Sequence, residues 1–215
     1  MIKIHRIINY PVPSNCYIIS SSDNDSCIVI DPGTADNSDL INFIEGNKLS
    51  IQYVLLTHEH FDHCLGVNSL QNNYQFKLIC SEKTASGVRS NRLNLSKYFE
   101  GVTPFEINMP CKYISEKDSL QFNNCTILFM ETPGHSPGSI CIKIGEAIFT
   151  GDMFLNTIKT PVNLPNCNKS DYLNSLQKIN STIKINTTIY PGHGEPFIFE
   201  FDKFNTENVS FPFSD

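Results

Sequence analysis

The run Thr57-His58-Glu59-His60-Phe61-Asp62-His63 packs three imidazoles and a carboxylate into a spacing of H-x-H-x-D-H. At this chain's own His and Asp content, such a pattern arises by chance roughly once in several thousand chains of this length. The donors form a borderline-soft nitrogen and oxygen set, suited to Zn²⁺ and also to Fe or Mn. Three more candidates lie downstream: His135 in Thr132-Pro-Gly-His-Ser-Pro-Gly138, Asp152 in Phe149-Thr-Gly-Asp-Met153, and His193 in Tyr190-Pro-Gly-His-Gly194. A single histidine is more often a satisfied core or cap residue than a ligand, and a single aspartate more often a turn or cap carboxylate. Here, however, five of the six histidines fall in Gly/Pro-rich loops after apolar strand-like runs, where a rigid scaffold can present them. His5, the sixth, sits in the first strand and is given no role.

Positioning these loops requires strands that end beside one another. Ile2 to Ile8, Cys16 to Ser20 and Cys27 to Ile30 are β-rich and separated by turn-forming stretches, which predicts an antiparallel meander. Ser38 to Lys48 then places Leu40, Ile41, Phe43 and Ile44 at helical spacing, and Tyr53 to Leu56 returns as a buried strand. A helix is expected over Asp62 to Leu70 and a strand over Phe76 to Cys80. Further strands are expected over Thr126 to Met130, Ser139 to Ile144, Ala147 to Thr150 and Thr188 to Tyr190, with a helix over Asp171 to Ile179. Strand groups each followed by helices suggest two packed sheets with helices outside, in an α/β arrangement that is not a doubly wound parallel sheet.

With 215 residues, 40% hydrophobic and 18% charged, the chain is expected to form one domain over 1–215. A net charge of -6 with scattered Lys and Arg argues against nucleic acid as a partner. No stretch is long enough to span a membrane, and the first residues hold no apolar run of signal-peptide length. The eight cysteines include no CxxC pair and several lie in strand-like runs, so reduced thiols and a cytoplasmic location are expected.

The order H-x-H-x-D-H, T-P-G-H-S-P-G-S, F-T-G-D, Y-P-G-H-G resembles the metallo-β-lactamase superfamily across nearly the whole chain. Asn94-Leu-Ser-Lys-Tyr98 and the Pro-Gly-His-Gly-Glu-Pro segment resemble short glyoxalase-II-like hydrolases. The resemblance implies an αββα sandwich with the metal site at one edge of the two sheets. It also implies that His58, His60 and His135 hold a first metal, that Asp62, His63 and His193 hold a second, and that Asp152 bridges them. Asp31, in Asp31-Pro-Gly33, matches a family element near the site and could orient a ligand imidazole; a turn carboxylate is the ordinary alternative. Cys64 reads as core packing beside His63.

Within the family, an acidic residue at position 60 would mark di-iron oxygen reductases, and this chain has His60. Asp152 at the bridging position disfavours the true β-lactamases, which lack that aspartate. Long glyoxalases II carry a helical C-terminal domain for glutathione, whereas this chain runs only a short way past Pro196. Their Tyr two residues beyond the last ligand His is replaced by Glu195, and Lys159-Thr-Pro161 lacks their Lys-x-Tyr pattern. The expected cofactors are two divalent ions, foremost Zn²⁺. Two such ions about 3.5–4 Å apart can share a water and lower its pKa from far above the physiological range towards about 7. Asp62 can orient that nucleophile and take its proton. The expected activity is hydrolysis of a small thioester or ester. The alternatives are an iron-dependent persulfide dioxygenase, a lactonase and, least favoured, a non-catalytic binding module.

Overall fold

The computed structural model describes residues 2–22, 24–156, 158–184, 187–199 and 209–210. The chain divides into two compact units, Met1–Tyr113 and Ile114–Asp215.

The first unit is built on a six-stranded mixed sheet in the order β1-β2-β3-β4-β5-β6. Its strands are β1 (Ile2–Ile8), β2 (Asn15–Ser21), β3 (Asn24–Ile30), β4 (Ser50–Leu55), β5 (Lys77–Cys80) and β6 (Cys111–Tyr113). β1, β2 and β3 form the expected antiparallel meander, and β3 to β6 pair in parallel. Parallel pairing needs crossovers, which α1 (Ser38–Gly46), α2 (Phe61–Cys64), α3 (Val67–Asn73) and α4 (Glu82–Val88) supply. Leu40 and Ile44, one turn apart on α1, join Val29, Val54, Leu56, Leu70 and Leu78 in a single core.

The helix expected over Asp62 to Leu70 is divided at Leu65 and Gly66. Gly66 N–H donates to Pro32 O at 2.8 Å, and the Asn37 amide donates to Gly66 O at 2.8 Å. A Cβ at Gly66 would come within 2.4 Å of Asn37, so the segment turns where only glycine fits. Helix α4 was not expected from apolar spacing. Its signal is the Ser81 cap, whose hydroxyl accepts from Thr84 N–H at 3.0 Å.

The second unit holds a six-stranded mixed sheet ordered β13-β12-β10-β9-β8-β7. It comprises β7 (Ser119–Phe122), β8 (Cys125–Glu131), β9 (Ile140–Ile144), β10 (Ala147–Gly151), β12 (Thr188–Pro191) and β13 (Phe197–Ile198). A two-stranded pair joins β11 (Thr160–Pro161) to β14 (Val209–Ser210), and α5 (Lys169–Thr182) packs Tyr172, Leu176 and Ile179 onto Cys141, Ile148 and Ile189. β8 and β10 are each antiparallel to β9, and β12 is parallel to β10. Strands β8, β10 and β12 therefore run the same way and end at one edge of this sheet. Among the described residues, no helix is long and apolar enough to cross a membrane. All eight cysteines are free thiols.

Candidate metal centre

In the first unit the donors follow the ends of two neighbouring parallel strands. Ile30 of β3 pairs with Leu55 of β4, so Asp31 and the Thr57-His58 step leave the sheet side by side. Asp31, at φ 53°, is buried and turns its carboxylate onto this loop. Its Oδ1 accepts from Thr57 N–H at 2.8 Å and its Oδ2 from the Thr57 hydroxyl at 2.6 Å. Oδ2 also lies 3.0 Å from His63 Nδ1. A carboxylate can only accept, so His63 carries its proton on Nδ1 and presents Nε2 as a lone pair.

The same logic fixes His58. The Thr57 hydroxyl spends its proton on Asp31 and must accept from His58 Nδ1, 3.0 Å away. His58 Nε2 then offers a lone pair 3.1 Å from His60 Nδ1. Two nitrogens on a tetrahedral ion with bonds of about 2.0 Å lie roughly 3.3 Å apart, so this spacing fits a shared cation. Asp31, His58 and His63 also bring one donor atom each within 4.8 Å of one another. Asp62 Oδ2 stands 3.6 Å from His63 Nε2. His58, His60, Asp62 and His63 are all buried.

Residues without chemistry of their own hold this loop. The Asp62 carbonyl accepts from the Ser14 hydroxyl and from the Asn9 amide, both in the β1–β2 connection. A Cβ at Gly33 would fall 1.7 Å from that carbonyl oxygen, so glycine is what lets the two backbones meet. Phe61 N–H donates to Asn94 O at 2.8 Å, tying the 94–98 segment to the start of α2. Glu59 packs its stem over Gly87 of α4, where a Cβ would come within 2.5 Å. Sequence reasoning passed over Asn9, Ser14 and Gly87, since nothing local marks a residue whose partner is distant. Cys64 is fully buried and its thiol donates to Glu59 O at 3.4 Å, so it packs in the core.

In the second unit His135, Asp152 and His193 follow β8, β10 and β12, the three strands that end at one edge. Asp152 Oδ2 lies 3.5 Å from His135 Nε2 and 3.3 Å from His193 Nε2. His135 Nδ1 sits 2.8 Å from the Pro161 carbonyl and must donate to it, so Nε2 carries the lone pair. The Cys167 thiol donates to His135 O at 2.8 Å, and the Ser175 hydroxyl donates to Pro133 O at 2.7 Å. Gly134, at φ 140°, lies against the Tyr172 backbone, where a Cβ would come within 2.3 Å. Each unit thus gathers its own share of the expected ligands into a set of imidazole nitrogens and carboxylate oxygens, buried except for the half-buried His193. This chemistry fits a divalent transition metal.

The sequence profile of the metallo-beta-lactamase superfamily matches residues 9–193. A probable metallo-hydrolase of Streptococcus pyogenes serotype M6 is 27% identical over 201 residues, covering 90% of this chain and 84% of that protein. Hydroxyacylglutathione hydrolase 1 of Vibrio vulnificus is 30% identical over 177 residues, covering 82% of this chain but only 61% of the relative. Among solved structures, the B3 metallo-beta-lactamase BLEG-1 superposes with a TM-score of 0.83 at 26% identity, over 91% of this chain and 94% of that one. The two mixed sheets with their flanking helices are the expected αββα class, and the chain belongs to the metallo-β-lactamase superfamily as a glyoxalase-II-like metallohydrolase.

Proposed function

We propose that the two units act as one catalytic domain, hydrolysing a small thioester or ester at a centre of two divalent cations, foremost Zn²⁺. His58, His60 and His135 would hold one cation, Asp62, His63 and His193 the other, and Asp152 would bridge them. The observation that carries this reading is the tautomer relay from Asp31, which sets His63 directly and His58 through Thr57, each with Nε2 left to ligate. A polar network that fixes two imidazoles in this way has little purpose in a core without an ion.

Bound there, two cations would lower the pKa of a shared water towards neutrality and polarise a carbonyl. The chain's own part is to orient and to move a proton. Asp62, on the first turn of α2 with Oδ2 3.6 Å from His63 Nε2, would take the proton of the attacking water. A thiolate leaving group departs unprotonated, so no general acid is needed, and this favours thioesters over amides. The named hydrolase of Vibrio vulnificus supports an acyl-thiol substrate, but this chain spans 61% of it. The glutathione contacts of the long enzymes are also replaced at Glu195 and Lys159-Thr-Pro161. Weak saturation by lactoylglutathione is therefore expected, with smaller acyl-thiols processed at similar or better kcat/KM.

Steady-state kinetics on small acyl-thiols, lactoylglutathione, a lactone and a β-lactam test this reading. Efficient turnover of the β-lactam, as the likeness to BLEG-1 would allow, would overturn it. So would oxygen uptake with a persulfide by a one-iron protein.

A further inference from the structure

Away from the metal-binding loops, the first unit brings together two thiols that the sequence separates by 31 residues. Cys80 closes β5 and Cys111 opens β6, its parallel neighbour, in a register that sets Cys111 opposite Leu78. Side chains alternate along a strand, so Leu78, Cys80 and Cys111 share one face. On that face the two sulfurs stand 3.0 Å apart, one thiol donating to the other. The pair is asymmetric in access, since Cys80 is fully buried and Cys111 half-buried.

The surroundings assign different parts to the two sulfurs. The hydrogen bond with Cys80, helped by the Arg89 charge, draws the Cys111 thiol below its ordinary range despite burial. Arg89 is steadied at this strand by a 3.2 Å hydrogen bond from its Nη1 to the Tyr113 hydroxyl, two residues along β6. The bond to Cys111, together with burial, keeps Cys80 protonated. Elsewhere, burial pushes Cys27 up to about 12, and Cys141 likewise against the opposing effects of Thr132 and Lys178. Thiolate character and access together decide which cysteine reacts, and Cys111 has both.

We propose that Cys80 and Cys111 form a reversible oxidation site at which a hydroperoxide, such as hydrogen peroxide, joins β5 to β6 through a disulfide. The Cys111 thiolate attacks one peroxide oxygen; a sulfur–oxygen bond forms, the oxygen–oxygen bond breaks, and hydroxide leaves. Cys80 sulfur then attacks Cys111 sulfur, the sulfur–sulfur bond forms, and the hydroxyl departs with the Cys80 proton as water. Two thiols and one peroxide thus give one disulfide and two waters. Closing the bond requires the sulfurs to approach by about 1 Å.

The test treats the full-length protein, freshly reduced, with hydrogen peroxide, then alkylates the remaining thiols and maps peptides without reduction. The expected product is a Cys80–Cys111 cross-linked peptide, at least about tenfold above any other pair and reversed by a phosphine. Cys80→Ser should leave Cys111 as a sulfenic acid that dimedone traps, and Cys111→Ser should leave Cys80 reduced. The second variant, at a half-buried position, carries the test if the first fails to fold. A chelator-treated sample should give the same disulfide. Cross-links spread over other cysteines, oxidation of Cys111 to sulfinic acid with Cys80 untouched, or a disulfide formed only in metal-loaded protein would each overturn the proposal.

Discussion

The two units gather their candidate ligands by different means. In Met1–Tyr113 the donors come from one short run, His58 to His63, and a polar network converges on it from Asn9, Ser14, Asp31 and Asn94. In Ile114–Asp215 they come from three separate loops, and sheet direction gathers them: β8, β10 and β12 end together, so His135, Asp152 and His193 do too. The first set is built by side-chain hydrogen bonds, the second by topology. A contiguous motif needs local restraint to splay its side chains, whereas dispersed ligands inherit their geometry from the strands that deliver them.

The sharpest way to break this comparison is at Asp152, whose carboxylate lies against both imidazoles of its own unit. Asp152→Ala removes the carboxylate that lies 3.5 Å from His135 Nε2 and 3.3 Å from His193 Nε2 and would leave bound cations with less compensating charge, so kcat/KM should fall about a thousandfold, several kcal/mol of transition-state stabilisation. Full activity in that variant would remove Asp152 from the site. Next in size is Gly33→Ala, because a Cβ would be driven 1.7 Å from the Asp62 carbonyl oxygen. Thermal or denaturant unfolding should show a loss of about 3 kcal/mol or more, with weakened metal retention. A normal melting curve would show that the close approach is not needed.

Asp31→Asn tests whether side-chain hydrogen bonds set the first cluster. The variant keeps the volume but loses a charged acceptor that fixes His63 and, through Thr57, His58. Metal affinity, read by competition with a chromogenic chelator, should fall about 10- to 100-fold while the fold persists. An unchanged affinity would reduce Asp31 to a turn carboxylate. The smallest effect belongs to Tyr172→Phe, which deletes the 3.2 Å hydrogen bond from the Tyr172 hydroxyl to Met153 O and little packing. Stability should drop by about 1 kcal/mol, a shift of about 2–4 °C in Tm, with kcat unaltered. A large fall in kcat would mean that side-chain restraint matters in the second unit as it does in the first.

The same contrast explains what could be read from sequence. The meander, Ser38 to Gly46, and the strands preceding each ligand loop were legible because their apolar spacing is local. Asp31 was legible as a candidate because its Asp-Pro-Gly setting ends a strand. Helix α4 was not, since its buried face is only Thr84, Ala85, Gly87 and Val88, too small to stand out. The break at Gly66 was hidden because it depends on Pro32 O and Asn37, which come from another loop. Asn9 and Ser14 escaped notice for the same reason: their value lies in the Asp62 carbonyl, far along the chain.

The central claim, that both clusters serve one dinuclear hydrolytic centre, is tested most directly by elemental analysis of protein purified without added metal. The account predicts close to two divalent ions per chain in the native protein and a clear loss in Asp152→Ala. One ion per chain in a fully active native protein would contradict it.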